Sequence, residues 1–373
     1  MRPIDYFERG VRLDPDRTFL ASEDIKYSYQ DAKKLIDAAT KGLYAAGFEI
    51  GDSIAVYSHN HASAVLGVFS SMNAGGAWIP VNVRNSAATN AEYMSYTRTK
   101  WLFYHSQVSE QVSECIPLLP ELKGVICLDR KDNGHPSLVD FSDAGKMVDV
   151  PDWSDPFGAP NMVFSRWPTG GTTGPSKGVE ISNANILTMF ELGLKHYVGE
   201  DTKDVVHLAV APITHAAGVI IGIFSAVAGT TIVHPAFDPK KVLESIARDK
   251  VTHIFLPPTA YYALLEYPDV KSYDCSSLRQ ILIAAAPVSP DKFRRGVEVF
   301  GDVICQCYGQ AEAPMLISML APEVVSAAAS GYKSERLKSC GKVTSCTEVA
   351  ILDDSGKVLS VGERGEICCR GPL

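Results

Sequence analysis

"WPTGGTTGPSKGV", residues 167–179, is the stretch on which the interpretation of this sequence depends. It follows the apolar run NMVFS (161–165), which predicts a strand. Three glycines, three threonines and one lysine fall between Thr169 and Lys177. Because glycine readily adopts positive φ values, such a turn can point several backbone N–H groups at one spot. The stretch therefore predicts a phosphate-binding loop, to which the threonine hydroxyls add donors and Lys177 a mobile positive charge.

Two named phosphate motifs do not fit this loop. The Walker pattern G-x-x-x-x-G-K-[ST] fails because Lys177 follows Ser176 and precedes Gly178. The dinucleotide fingerprint G-x-G-x-x-G is also absent from the stretch. A flexible surface loop remains the alternative that composition alone leaves open.

The composition narrows the class of protein. The chain has 373 residues, 46% of them apolar and 21% charged, which predicts a globular protein of two or three subdomains. A net charge of −8, with no Lys/Arg run longer than two residues, argues against nucleic acid or an anionic membrane surface as partner. No signal-peptide-like start and no long apolar run is present, so we expect a cytoplasmic protein without an integral membrane segment.

Short β-rich runs alternate with helix-compatible segments along most of the chain. The predicted strands are 53–58, 77–81, 101–105, 124–129, 205–212, 230–234, 252–258, 278–287 and 303–309. This alternation predicts an α/β fold with two βαβ-type subdomains and largely parallel sheets flanked by helices. From about residue 340 the pattern changes to alternating residues around turns, which predicts an antiparallel, barrel-like β meander. We expect domains at 1–150, 151–335 (phosphate loop and adenine site) and 336–373.

Five segments, in order, resemble motifs of the adenylate-forming superfamily, which includes acyl-CoA synthetases, aryl-CoA ligases, luciferases and peptide-synthetase adenylation domains. TGGTTGPSKGV (169–179) resembles its phosphate loop, and APITHAAG (211–218) its Pro-x-x-His-x-x-Gly element. AAAP (284–287) is similar to its adenine-side strand end, and CYGQAE (307–312) to its Tyr-Gly-x-Thr-Glu element. GERGEICCRGP (362–372) resembles its Gly-Glu-x-Gly-Glu strand. The resemblance extends over essentially the whole chain.

The resemblance implies an acid–thiol ligase, an AMP-forming acyl-CoA synthetase. Such an enzyme uses ATP and Mg²⁺ to convert a carboxylic acid to its acyl-adenylate, releases pyrophosphate, and then transfers the acyl group to coenzyme A with release of AMP. The attack of a carboxylate on a phosphate brings like charges together, so the site must supply cations and N–H donors. The implied partners are the acid, ATP and coenzyme A, and the chain could also form a homodimer.

The resemblance also implies a role for each site residue. The implied catalytic residues are Lys177 on the β- and γ-phosphates, His215 between the acyl pocket and the α-phosphate, and Glu312 on Mg²⁺, a hard cation that favours carboxylate oxygen. Tyr308 would stack on adenine, with the 284–287 backbone along the adenine edge. The implied nucleotide-binding residues are Thr169, Gly170, Gly171, Thr172, Thr173, Gly174, Lys177, Ala284, Ala285, Ala286, Pro287, Tyr308, Gly309, Gln310 and Ala311.

Each implied role has a structural alternative. Glu312 could be an ordinary surface acid, Tyr308 could fill the core, and His215 could be a core histidine with satisfied hydrogen bonds. Two residues also depart from the superfamily pattern, since Gly170 stands in place of a serine and Ala311 in place of a threonine. Losing one hydroxyl donor can lower the rate by up to ~10²–10³ if nothing replaces it.

The segment ITHAAGVIIGIF (213–224) is uncharged apart from His215, which argues against an amino-acid substrate and predicts a fatty or aromatic acyl group. Two alternatives remain: a non-catalytic adenylate- or acyl-binding module, and an adenylate-forming enzyme that loads a carrier protein. In the superfamily, a ribose-binding aspartate, a hinge and a small domain with a second lysine follow the strand at 366–369. We therefore expect residues 1–373 to be the N-terminal domain, inactive or weak alone.

Overall fold

A computed structural model describes residues 1–144, 148–151, 159–168 and 178–373. The elements of the first half, in chain order, are α1 (Ile4–Leu13), β1 (Thr18–Ala21), β2 (Lys26–Ser28), α2 (Tyr29–Ala45), β3 (Ser53–Tyr57), α3 (Ala62–Ala74), β4 (Ala77–Val81), α4 (Ala87–Tyr96), β5 (Thr99–Tyr104), α5 (Ser109–Cys115), β6 (Gly124–Cys127), α6 (Leu138–Ala144), β7 (Val163–Pro168) and β8 (Gly178–Ser182). None of the helices in the described ranges is long and apolar enough to cross a membrane.

The elements of the second half are α7 (Asn183–Gly193), β9 (Val206–Ala209), α8 (Ala216–Ser225), β10 (Thr230–Val233), α9 (Pro239–Asp249), β11 (His253–Leu256), α10 (Pro258–Leu265), β12 (Gln280–Ile283), α11 (Pro290–Phe300), β13 (Ile304–Gln310), β14 (Ala313–Leu320), α12 (Pro322–Ala329), β15 (Lys342–Val343), β16 (Glu348–Leu352) and β17 (Glu366–Arg370). A π-helical turn, Leu194–Val198, continues α7, and a 3-10 turn spans Ser334–Lys338. Each predicted strand coincides with an observed one within a few residues.

The chain forms two compact units. Unit 1 comprises Met1–Asn183 and Asp201–Asp238, and unit 2 comprises Ala184–Glu200 and Pro239–Leu373. The predicted domain limits at residues 150 and 335 are a different division of the chain and stay a prediction.

Unit 1 contains a sheet of order β6-β5-β3-β4-β7-β8, in which every pair is parallel except β7–β8. Strands β3 and β4 are buried at every position, as expected for parallel strands covered by helices on both faces. Leu102 and Tyr104 pack with α4 and α5 on one face, whereas Phe103 lies against Gly67 of α3 on the other. Unit 1 also holds the strands β9-β10-β1-β2, of which β1–β2 is antiparallel.

The start of α2 shows how local chemistry sets an element. The Ser28 hydroxyl accepts a hydrogen bond from the Asp31 backbone N–H at 3.1 Å and donates one to the Asp31 carboxylate at 2.8 Å. The first of these bonds is an N-cap interaction, and the second holds the two side chains together. The helix ends before Gly47, whose φ of +88° is a left-handed conformation that glycine adopts without strain.

Unit 2 contains the strands β15-β14-β13-β12-β11, with β11, β12 and β13 parallel and β14 and β15 antiparallel to their neighbours. Strands β16 and β17 pair antiparallel as a separate two-stranded sheet. The predicted α/β fold, with largely parallel sheets flanked by helices and a small antiparallel sheet near residue 373, is confirmed.

Candidate functional site

Two antiparallel strands of unit 1 flank the predicted phosphate loop. The loop residues Thr169, Gly170, Gly171, Thr172, Thr173, Gly174 and Lys177 lie outside the described residues. Strand β7 ends at Pro168 and β8 begins at Gly178, and these two residues face each other in the ladder. The described residues on either side of the 169–177 segment are therefore adjacent.

A polar network around Arg166 fixes the base of this strand pair. The Arg166 guanidinium donates to Glu180 of β8 at 2.9 Å and to the Ser53 hydroxyl of β3 at 2.7 Å. The Tyr93 hydroxyl donates to the Arg166 carbonyl oxygen at 2.8 Å. Burial raises the pKa of Tyr93, so its hydroxyl keeps its proton and remains a donor. These bonds tie β7 to β8 and β3.

His215 lies at the start of α8, in contact with the strand that leads into the loop. Its ring stacks on Trp167 of β7, with ring centroids 6.4 Å apart and planes 26° apart. Part of the His215 side chain is accessible to solvent, but the protein atoms around the rest of the ring exclude water and lower its pKa below 6.5. The ring is therefore neutral at pH 7, with one nitrogen donating and one accepting.

Close packing against Ile213 explains why the APITHAAG segment (211–218) has a glycine at position 218. A Cβ at Gly218 would lie 2.0 Å from the Ile213 carbonyl oxygen, far inside van der Waals contact. The Gly218 backbone N–H donates to the His215 carbonyl oxygen at 3.0 Å. The first turn of α8 can therefore approach the preceding segment closely because residue 218 has no side chain.

Asn60 positions this segment, and the sequence analysis missed it. Its amide nitrogen donates to the Ala211 carbonyl oxygen at 2.9 Å, and its amide oxygen accepts from the Ile213 N–H at 2.9 Å. Asn60 is 9% exposed and stands just beyond the carboxyl end of β3. A polar residue directly after a buried parallel strand is the signal that could have identified it.

His61, which follows Asn60 in the segment SHNHAS (58–63), has a structural role. His61 accepts a hydrogen bond from the Ser63 backbone N–H at 3.2 Å and caps α3. Its Nε2 lies 3.2 Å from the Asp24 carboxylate. These contacts account for His61 without a ligand.

In unit 2, the segment Ala284–Pro287 connects β12 to α11; Ala284 is buried, and Ala285, Ala286 and Pro287 are exposed. Ala285 has φ +78°, a left-handed conformation that costs a residue with a Cβ about 1–2 kcal/mol. Strain of this kind concentrates at functional sites, where the backbone must follow a particular path. The strain at Ala285 supports a binding role for this segment.

Tyr308, Gly309 and Gln310 form the end of β13, and Ala311 and Glu312 form the turn to β14. Gly309 is the irregular position in the ladder between Tyr308 and Gln310. A Cβ at Gly309 would lie 2.5 Å from the Met315 backbone nitrogen, so only glycine fits there. Glu312 is exposed and Tyr308 half-buried.

The structure brings these two segments of unit 2 together. Strands β12 and β13 are adjacent and parallel, with Ile283 opposite Gln306. Their carboxyl ends therefore meet at one edge of the sheet, the usual position of ligand sites in α/β folds. Within the described residues of unit 2, the Glu312 carboxylate has no ion-pair partner, and carboxylate oxygen is a ligand type that Mg²⁺ favours.

The apolar residues after His215 are accounted for by packing. Val219, Ile220, Ile221, Ile223 and Phe224 of α8 are all 0% exposed. The uncharged character of this run thus reflects the core of unit 1, and it does not by itself define a substrate class.

Comparisons with known proteins agree with the motifs. A medium/long-chain-fatty-acid–CoA ligase of Mycobacterium tuberculosis is 36% identical over 214 residues, which cover 57% of this chain and 36% of that protein. A feruloyl-CoA synthase of Amycolatopsis sp is 28% identical over 369 residues, or 98% of this chain and 69% of that protein. This chain is thus shorter than both relatives.

The fold recurs in solved structures. An amide bond synthetase from Marinactinospora thermotolerans superimposes with a TM-score of 0.86 at 23% identity, covering 100% of this chain and 71% of that one. The sequence profile of AMP-binding enzymes matches residues 7–373. The chain therefore belongs to the AMP-binding enzyme family, the adenylate-forming superfamily whose motifs its sequence resembles.

Proposed function

We propose that this protein activates a carboxylic acid as its acyl-adenylate, at the expense of ATP, and transfers the acyl group to coenzyme A. One observation carries this proposal: two of the segments that match the superfamily, 284–287 and 307–312, meet at the carboxyl edge of the unit 2 sheet. The acyl-CoA ligases among its relatives give the same reaction class.

The proposed roles follow the chemistry of the side chains. Lys177 and the N–H groups and hydroxyls of residues 169–174 hold the β- and γ-phosphates, and the neutral His215 ring donates to or accepts from an oxygen near the reacting phosphate. Tyr308 stacks on adenine beside the 284–287 backbone, with Gly309, Gln310 and Ala311 next to it. Glu312 would hold Mg²⁺, which supplies positive charge to the phosphates when bound.

The proposed substrate is a fatty or aromatic acid. The relatives named for medium- and long-chain fatty acids and for a feruloyl group support these two classes. Two further predictions accompany the proposal: that the protein is cytoplasmic, and that it can form a homodimer.

ATP–pyrophosphate exchange with octanoate, palmitate and ferulate tests the adenylation step, and subsequent addition of coenzyme A tests the transfer. We expect exchange with at least one acid, and a loss of about a hundredfold or more in Glu312→Gln. Glu335→Gln, which changes another exposed glutamate of unit 2, should leave the rate unchanged. Both residues 1–373 and a chain of the relatives' full length should be assayed.

Three outcomes would replace this proposal. Exchange without acyl-CoA formation, but with loading of a phosphopantetheinylated carrier, would identify a carrier-loading enzyme. Binding of a non-hydrolysable acyl-adenylate without exchange in either length of chain would identify a non-catalytic binding module. Neither binding nor exchange in either chain would refute the assignment of the nucleotide site.

A further inference from the structure

A cavity of about 990 Å³ lies in unit 2, away from the proposed adenylate site. It is lined by Gln280, the first residue of β12, and by Leu320, the last residue of β14. Leu320 pairs with Gln306, near the start of β13. Since residues 284–287 and 308–312 follow the carboxyl ends of β12 and β13, the cavity opens at the opposite edge of the sheet.

Three cationic side chains line this cavity: Lys195, Arg336 and Lys342. Within the part of the chain that the structure describes, neither Arg336 nor Lys342 has an ion-pair partner, and the Lys195 ammonium has a 3.4 Å contact with the Ser345 hydroxyl. Two carboxylates, Glu200 and Glu323, also line it, so the cations are in excess. In a chain of net charge −8, a cavity with excess positive charge is a local site for an anion.

Part of the remaining wall is apolar, while Gln280, Ser339, Thr344 and Ser345 supply polar groups. Met319, which is 6% exposed, precedes the last residue of β14. Pro322 and Val324 lie in the first turn of α12, and Val343 of β15 is 39% exposed. A small inorganic anion would leave this surface in water. The combination of cations with an apolar wall fits a ligand that has a charged head and an apolar portion.

The π-helical turn Leu194–Val198 forms part of the wall and is held in place by polar contacts. The Gln280 amide donates to the His196 carbonyl oxygen at 3.2 Å, and the Cys305 thiol donates to the Gln280 amide oxygen at 3.3 Å. His196 Nε2 is buried and has no hydrogen-bond partner among the described residues. Single π-helical turns occur often at functional sites, which is consistent with a ligand at this position.

The ionisation of His196 suits such a ligand. Burial and the nearby Lys195 charge both lower the pKa of His196. The ring is therefore neutral at pH 7, and it can donate to the ligand head or accept from it.

We propose that this cavity is a second binding site, for an amphipathic anion with a carboxylate or phosphate head. The head binds at Lys195, Arg336 and Lys342, and the apolar portion lies along Met319 and Val343. The proposal goes beyond the proposed function, because the cavity shares no residue with the adenylate site.

Met319 offers a local readout for the test. The protein has eight methionines, so a spectrum of ¹³C-methyl methionine is simple, and Met319→Leu identifies the Met319 signal. The probes are decanoate, decyl phosphate and inorganic phosphate, below micelle-forming concentrations and with a non-hydrolysable acyl-adenylate present to occupy the other site. We expect decanoate or decyl phosphate to shift the Met319 signal saturably, and inorganic phosphate to bind more weakly.

The double variant Arg336→Ala/Lys342→Ala should bind the same probe at least about tenfold more weakly, because one charge-assisted contact is worth about that factor. Lys338→Ala is the matched control: it lies in the same 3-10 turn as Arg336 but does not line the cavity. It should bind as the unsubstituted protein does. A Met319 signal that moves with none of the probes, or moves equally in the double variant, would overturn the proposal; urea unfolding verifies that each variant is folded.

Discussion

Replacing Asn60 with alanine should loosen the segment that carries His215. The Asn60 side chain is hydrogen-bonded to the Ala211 carbonyl and the Ile213 N–H, both at 2.9 Å. Ala211 is 8% exposed and Ile213 is 1% exposed, so water can hardly replace the lost amide. Both backbone groups would be left unsatisfied in Asn60→Ala.

The loss of folding stability in Asn60→Ala can be derived from these two hydrogen bonds. A buried donor or acceptor left without a partner costs about 1–3 kcal/mol, so two of them cost about 2–4 kcal/mol after partial relaxation. Asn73→Ala is the control, since Asn73 donates to the Asp37 and Thr40 side chains of the same unit and is only partly buried. It leaves no buried backbone group without a partner, and it should cost about 1 kcal/mol or less.

Two measurements follow the effect. Urea unfolding reports the loss of stability, and an NMR titration of the nine histidines, with His215 assigned from His215→Gln, reports the local environment. Burial holds the pKa of His215 below 6.5, so a looser segment that admits water should let that pKa rise toward 6.5. We expect this rise in Asn60→Ala and not in Asn73→Ala.

The reasoning would be refuted if Asn60→Ala matched Asn73→Ala in both the urea midpoint and the pKa of His215. A stability loss with an unchanged His215 pKa would limit the role of Asn60 to folding. In that case Asn60 would not be a positioning residue for His215.

Three further perturbations have defined outcomes. Gly309→Ala should lower the free energy of unfolding by about 1–3 kcal/mol, because the new Cβ would meet the Met315 backbone. Gly178→Ala is the control and should be close to neutral, because a Cβ at Gly178 would make only ordinary van der Waals contacts. Equal urea midpoints for the two variants would contradict this prediction. Ala285→Gly should raise that free energy by about 1 kcal/mol by relieving the φ of +78°, and a lower urea midpoint would show that the conformation is not strained. Burial raises the pKa of Tyr44 from 10 to about 12, so its contribution to stability is present below pH 10 and is lost as the pH rises toward 12; urea unfolding of Tyr44→Phe should show a weaker dependence across this window.

Local signals predicted much of the fold. Ser28 and Asp31 at the start of α2, and Gly47 after its end, are local signals of this kind, because capping and left-handed turns depend on neighbouring residues. The buried strands of unit 1 were recognisable as apolar runs between helices. The helix α6, by contrast, lies in the 130–161 stretch, whose residues show no helical periodicity from which it could be predicted.

The sequence predicted which segments form the candidate site, but it did not predict the contacts that their residues make. The sequence identified segments 211–218 and 307–312 from their resemblance to a family, but not why their glycines are needed. Gly218 and Gly309 are each required by a close approach of another backbone segment, a distance that spacing along the chain does not give. Asn60 was missed because its two partners lie about 150 residues away in the sequence.

The short edge strand β15 affects the tendency of this sheet to pair with the sheet of another copy. Strand β14, Ala313–Leu320, is buried along its entire length, and the outer edge of this sheet in unit 2 is the two-residue strand Lys342–Val343. A long apolar strand at a sheet edge templates pairing between copies, whereas a short edge carrying a lysine discourages it. We therefore expect the short edge with Lys342 to disfavour edge-to-edge association, and an apolar β-branched residue in place of Lys342 to favour it.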